Sequence, residues 1–125
     1  MKRIAFVISI ILISLLSVCK AQNNVTASSE TARQFGYYVA FGDNIKAAFN
    51  IVPEADITEY VSQTKNEIEQ LGGLKDIIVD NEEIVSAKEA VVTLTYICRK
   101  EDAKVQKTYT LLKVGDDWKI SADKL

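Results

Sequence analysis

The sequence predicts an α+β domain in which three N-terminal helices pack on one face of a four-stranded antiparallel sheet. Two observations carry this. Apolar residues recur at helical spacing as far as Leu71 and alternate from Leu74 onward, with Gly72-Gly73 marking the change. The second half is also rich in β-branched residues and broken by short polar turns. A chain of 125 residues suits one domain, and 48% hydrophobic with 26% charged residues is an ordinary globular composition.

The N-terminus stands apart from that domain. Met1-Lys2-Arg3 is a short basic head, and Ile4 to Val18 is an apolar run broken only by serines. As a helix this run would reach about 22 Å, short of the ~30 Å hydrocarbon core of a bilayer. The pattern is that of a secretory signal peptide over residues 1–21, followed by a flexible polar leader over 22–29 and the domain over 30–125. Cleavage after Ala21 puts small residues, Ala21 and Cys19, in the shallow −1 and −3 pockets of the peptidase, and this route is favoured. The alternative is lipidation: Leu16-Ser17-Val18-Cys19 resembles a bacterial lipobox with Cys19 as the acylated residue, although Val18 is larger than the residue that pattern prefers. The expected location is therefore extracytoplasmic, either free or held to the envelope membrane through Cys19. Asn24-Val25-Thr26 matches a glycosylation sequon, read as a chance match.

The full chain has a net charge of −2, and without Lys2, Arg3 and Lys20 the remainder carries −5. An acidic surface repels phosphate backbones, so nucleic-acid binding loses its electrostatic support. Arg99, Lys100, Lys104 and Lys107 cluster around a hairpin tip but are interrupted by Glu101-Asp102. They read as a solvated turn.

Ser28 or Ser29 is the expected cap of a first helix with Ala32, Phe35 and Val39 on its apolar face. Gly42 stops it and Asp43 caps a second helix, Asn44 to Val52, whose face would carry Ile45, Ala48, Phe49 and Val52 before Pro53. Asp56-Ile57-Thr58-Glu59 has capping-box spacing, and Ile57, Tyr60, Val61, Thr64, Ile68 and Leu71 follow as one stripe. The strands are expected at Lys75 to Val85, irregular near Asp80-Asn81, then at Ala90 to Lys100, Lys104 to Val114 and Trp118 to Ser121. A three-residue turn at Glu101-Asp102-Ala103 would set Lys100 opposite Lys104, so that Val92, Leu94, Tyr96 and Cys98 share the inner face with Thr108, Thr110, Leu112 and Val114. A second three-residue turn, Gly115-Asp116-Asp117, adds Trp118 and Ile120 to that face; a two-residue turn would flip the last strand. The outer face would then hold Val91, Thr93, Thr95, Ile97, Tyr109 and Leu111, a candidate surface for a partner or a homodimer.

Tyr37 to Ala48, "YYVAFGDNIKAA", with Leu71-Gly72-Gly73-Leu74-Lys75 and Gly115-Asp116-Asp117-Trp118-Lys119-Ile120, resembles small bacterial envelope domains of uncharacterised function. These belong to the nuclear-transport-factor-2-like, or cystatin-like, superfamily. The resemblance spans Tyr37 to Ile120. It implies a strongly curved sheet wrapped around the helices as a cone, with Phe35, Tyr38, Phe49, Tyr60, Leu94, Tyr96 and Trp118 as candidate lining; the cone is either open to a small apolar ligand or filled by side chains, which would leave the outer sheet face as the candidate site. Many members are assigned as lipoproteins, which bears on Cys19.

Some members of that superfamily are isomerases or dehydratases, whose sites need a proton-transfer group in the cone. This chain has no histidine, which excludes Ser-His-Asp and Cys-His catalysis and imidazole zinc sites. The expected inner face carries no carboxylate, and its tyrosines could orient a ligand without transforming it. Asp80-Asn81-Glu82-Glu83 and Asp116-Asp117 lack the spacing of a calcium loop and read as turns. With Cys19 removed, Cys98 is an unpaired buried thiol. The expected function is thus a non-catalytic ligand-binding or interaction module without cofactor or metal; the alternative is a small isomerase- or dehydratase-type enzyme.

Overall fold

The computed structural model describes residues 26–125. The readings that concern residues 1–25, including cleavage or lipidation at Cys19, lie outside the described residues. Helix α1 spans Ala27–Ala40, α2 Asn44–Ala48 and α3 Thr58–Gln70; the strands are β1 Ile51–Val52, β2 Leu74–Ser86, β3 Glu89–Cys98, β4 Lys104–Val114 and β5 Asp117–Ser121. A 3-10 turn, Ala122–Lys124, closes the described chain. The strands form one curved sheet in the order β1-β5-β4-β3-β2, antiparallel except for the parallel β1–β5 pair. The three helices lie to the N-terminal side of the four long or terminal strands that the alternation anticipates, and β1 makes the sheet five-stranded and mixed.

Helix α1 begins earlier than expected. Thr26 caps it, accepting from the Ser29 amide at 3.2 Å, so Ala27, Ser28 and Ser29 belong to the helix and not to a flexible leader. Ser28 and Ser29 are buried because their hydroxyls, with that of Thr26, donate to one carboxylate oxygen of Glu82 on β2. A strand residue thereby anchors the positive end of the helix that lies over the sheet.

Gly36 lets α1 approach that sheet. A Cβ at this position would lie 3.0 Å from Leu94 Cδ1, 3.1 Å from Tyr96 Oη and 3.2 Å from Ile77 Cδ1. Alanine gains roughly 1 kcal/mol of helix propensity over glycine, whereas overpacking a closed core costs about 1–3 kcal/mol. All three neighbours are wholly or nearly wholly buried and none can yield freely. Gly36→Ala is therefore expected to lower unfolding free energy by about 1 kcal/mol in a denaturant titration, with the crowding term winning.

The expected second helix divides into α2 and β1. Helix α2 starts as read, with Asp43 accepting from the Lys46 amide at 3.1 Å, but it stops at Ala48. Ile51 and Val52 are β-branched and Val52 directly precedes Pro53, and both properties favour extended backbone. They pair with Ile120 and Ser121, and the Ile120 amide donates to the Asn50 carbonyl at 2.6 Å. The short helix packs Ala47 into the core. At 100° per residue, Ile45 and Phe49 each lie about 200° from Ala47 and so face away from it.

Helix α3 follows its stripe: Ile57, Val61, Thr64 and Ile68 are buried, Tyr60 and Leu71 partly so. Its cap differs from a capping box. The Asp56 carboxylate accepts from the Thr58 amide at 3.0 Å, and Glu59 accepts from Gln63 instead of returning to the cap. Gly72 and Gly73, at φ 90° and 92°, end the helix in left-handed backbone and turn the chain into β2. The irregularity expected near Asp80-Asn81 is present as a register shift between Val79 and Asn81.

The expected registers of β4 and β5 are off by three residues and by one, and each odd shift exchanges the two faces. Four residues, not three, loop between Cys98 and Ala103, with Glu101 and Asp102 at φ 57° and 54°. Ile97 therefore lies opposite Lys104. This turns Val105, Tyr109 and Leu111 inward and Thr108, Thr110 and Leu112 toward the outer face. A two-residue Gly115-Asp116 turn then places Val114 opposite Asp117 and Leu111 opposite Ile120. The second shift cancels the first for β5, so Trp118 and Ile120 still face inward, partly and fully buried.

Candidate functional site

The inside of the curved sheet is occupied by protein. Phe35 from α1 sits edge-on to Tyr109 of β4, with centroids 5.3 Å apart, and stacks on Tyr60 of α3 at 6.4 Å. Tyr60 Oη donates to Tyr109 Oη at 2.6 Å, and Tyr109 Oη and Tyr96 Oη lie 2.8 Å apart. Phe35 and Tyr96 are fully buried and Tyr109 is 2% exposed. Their hydroxyls satisfy one another, which is how three phenols can share an apolar interior. Burial, first of all, pushes the Tyr60, Tyr96 and Tyr109 phenols above their usual range, and for Tyr109 the two neighbouring phenols raise it further. They are poor proton-transfer groups near neutral pH.

The expected lining residues separate accordingly. Phe35, Leu94 and Tyr96 are core, while Tyr38, Tyr60 and Trp118 pack partly against it. Phe49 does not belong with them: it is 71% exposed, because α2 turns Ala47 into the core and Phe49 lies on the opposite side of that turn. Tyr109, the centre of the hydroxyl chain, was expected on the outer face. Its place was legible in the alternation of Val105, Tyr109 and Leu111 against Gln106, Thr108 and Thr110, once turn length is set aside.

The outer-face set is likewise broken. Tyr109 and Leu111 are turned inward by the β4 register and buried. Val91, Thr93 and Ile97 remain outside and half-buried, and Thr93 pairs with Thr108 at 3.1 Å between hydroxyls. Thr95 is buried beneath the Asp80 carboxylate, to which it donates together with Gln106. Those two hydrogen bonds hold the Asp80 carboxyl below its ordinary value.

No buried carboxylate meets a tyrosine among the described residues. Tyr37 Oη does donate to Asp76 Oδ1 at 3.3 Å, but Asp76 is half-exposed at the sheet edge and paired with Arg33 at 3.6 Å. Cys98 is wholly buried, and burial followed by the charge of Glu67 pushes its thiol up, which leaves it inert. The Glu67 carboxylate is engaged by Lys107 at 3.2 Å.

An open, mostly apolar concavity lies between α2, β1 and β5. It is a groove of about 600 Å³ walled by Ile45, Ala48, Phe49 and Ala55 and floored by Ile51, with Asn44, Glu54 and Lys119 at its polar rim. Ile45 is 73% exposed. The groove is held in shape by Lys119, which donates to the Phe49 carbonyl at 2.7 Å, and by Asn50, which donates to the Lys46 carbonyl at 3.0 Å. Asn44 Oδ1 is shielded from solvent and has no hydrogen-bond partner among the described residues. Size and apolar lining suit a small ligand or a partner's side chains, and the lining contains no side-chain hydroxyl or thiol. Sequence reasoning missed it because it assigned Ile45 and Phe49 to a buried helix face.

No protein-family model and no curated protein matches the sequence. Solved structures do match in shape. A candidate NTF2-like transpeptidase from Campylobacter jejuni superposes with a TM-score of 0.69 at 18% identity, covering 77% of this chain and 98% of its own. The fold is NTF2-like. A protein of unknown function with a cystatin-like fold from Methylobium petroleophilum PM1 aligns at a TM-score of 0.52 and 16% identity, over 78% of this chain and 75% of that one. The fold type expected from the resemblance of Tyr37 to Ile120 is thus the one observed, and in this chain an aromatic core fills the inside of the sheet.

Proposed function

We propose that this NTF2-like chain is an exported, non-catalytic binding module of the bacterial cell envelope, and that its binding site is the Ile45–Phe49 groove. One observation carries the reading: the interior is filled by Phe35, Tyr96 and Tyr109, whereas the groove leaves Ile45 and Phe49 in solvent. Export rests on the basic head and short apolar run of residues 1–21. Acyl transfer, the activity for which the Campylobacter jejuni protein is named, would need an accessible nucleophile and a base. Cys98 is buried with a raised pKa, and the chain has no histidine to activate a hydroxyl.

Titration with the apolar dye anilinonaphthalene sulfonate tests the site. The folded chain is expected to bind it saturably, and Phe49→Asp or Ile45→Asp to weaken binding by about tenfold or more, since each removes apolar contact and adds a charge to be desolvated. Tyr109→Phe keeps the ring and leaves dye affinity unchanged. Loss of binding in Tyr109→Phe with retention in Phe49→Asp places the site inside the sheet and overturns the reading.

A further inference from the structure

Strand β2 is the last strand of the sheet, so one row of its peptide groups has no strand partner among the described residues. The register identifies that row. Cys98 donates to Ala103 across β3–β4, so even-numbered β3 residues bond toward β4 and odd-numbered ones toward β2. Their β2 partners are Asp76, Ile78, Asn81 and Glu83. The groups pointing off the sheet therefore belong to Ile77, Val79, Glu82 and Ile84.

The two halves of this edge are treated differently. At Ile77 the amide donates to Asp76 Oδ1 at 2.8 Å and the carbonyl accepts from Arg33 Nε at 3.1 Å. Arg33 also lies over the Tyr37 ring, 5.7 Å from its centroid, so side chains close this end. Beyond it, no side chain among the described residues bonds the outward peptide groups of Val79, Glu82 or Ile84, and Ile84 is 58% exposed. An uncovered edge is a template for another strand.

Charge selects the occupant. In an antiparallel pairing with a second copy, Asp80, Glu82 and Glu83 would meet their own counterparts, and like charges opposite one another oppose pairing. An extended segment with basic residues on the outer face meets Asp80 and Glu83 favourably, while Glu82 faces the other way and is held by α1. We infer that Val79–Ile84 is a docking edge for an extended segment of another protein that alternates basic and apolar residues. Its basic residues lie beside Asp80 and Glu83, its apolar residues cover Ile84, and its backbone continues the sheet as a strand beside β2. This surface is independent of the groove, which borders β1 at the opposite edge.

The test is fluorescence anisotropy with a labelled peptide alternating lysine and valine. Saturable binding is expected, weakened about tenfold by Glu83→Lys, an exposed position whose substitution leaves the core intact. Val79→Pro, which removes one outward amide, and a peptide N-methylated on the pairing side should each abolish it; circular dichroism confirms that the variants fold. A glutamate–valine peptide should not bind. Failure of the lysine–valine peptide to bind, equal binding to Glu83→Lys, or binding that survives N-methylation overturns the proposal, as does a dimer joined through this edge.

Discussion

Phe35→Ala is expected to be the most damaging single substitution in the core, lowering unfolding free energy by about 3–5 kcal/mol. Phe35 is fully buried, and it is the ring on which Tyr60 stacks and against which Tyr109 sets its edge. Truncation removes the transfer free energy of the ring and leaves a void that the hydroxyl-linked tyrosines cannot collapse into without losing their 2.6 and 2.8 Å hydrogen bonds. A loss of this size is a large share of the roughly 5–15 kcal/mol that holds a domain folded. Urea titration measures it. A loss below about 1 kcal/mol would mean that the interior is loosely filled and open to ligands, contrary to the packing described.

Glu82→Ala has the second largest expected effect, about 2 kcal/mol, because it acts on the attachment of α1 to the sheet. Its carboxylate receives three hydroxyl hydrogen bonds at the helix N-terminus. Charge-assisted bonds of this kind contribute about 1.5–3 kcal/mol when one partner is deleted, and the partial exposure of Glu82 argues for the lower half of that range. Burial alone would raise the Glu82 pKa, but hydrogen bonds from Ser28, Ser29 and Thr26 and from the Ser29 amide outweigh it and hold the carboxyl below 4.5. A depressed folded-state pKa means that the stabilisation is complete above the unfolded value and is lost as pH falls through the folded one. The gap in stability between wild type and Glu82→Ala should therefore be constant from neutral pH down to about 5 and narrow below 4.5. A gap that persists unchanged to pH 3 would show that the carboxylate charge has no part in holding the helix.

What the sequence made legible depended on how far each signal reached. The α3 stripe from Ile57 to Leu71, the Gly72-Gly73 stop and the irregularity at Asp80-Asn81 are local, and each is found where the residues place it. The faces of β4 depended on a turn whose two left-handed residues are Glu101 and Asp102, not the glycine or asparagine that would have announced it. Guessing three loop residues instead of four moved Tyr109 and Leu111 to the wrong side, although the threonines between them already favoured the observed face. Strand β1 is two residues long and exists because β5 comes back to pair with it, which no local pattern states. The groove depends on that pairing: β1 sets Ile51 as its floor, while α2 turns Ala47 into the core and so leaves Ile45 and Phe49 facing solvent.

Nuclear magnetic resonance with an apolar probe distinguishes a filled interior with a surface groove from an open cone directly. On titration with anilinonaphthalene sulfonate, the backbone amide signals of Ile45, Ala48, Phe49, Ile51 and Lys119 should shift, while those of Phe35, Leu94, Tyr96 and Tyr109 stay in place. Shifts centred on Tyr96 and Tyr109, with the groove signals unmoved, would contradict it and put the ligand inside the cone.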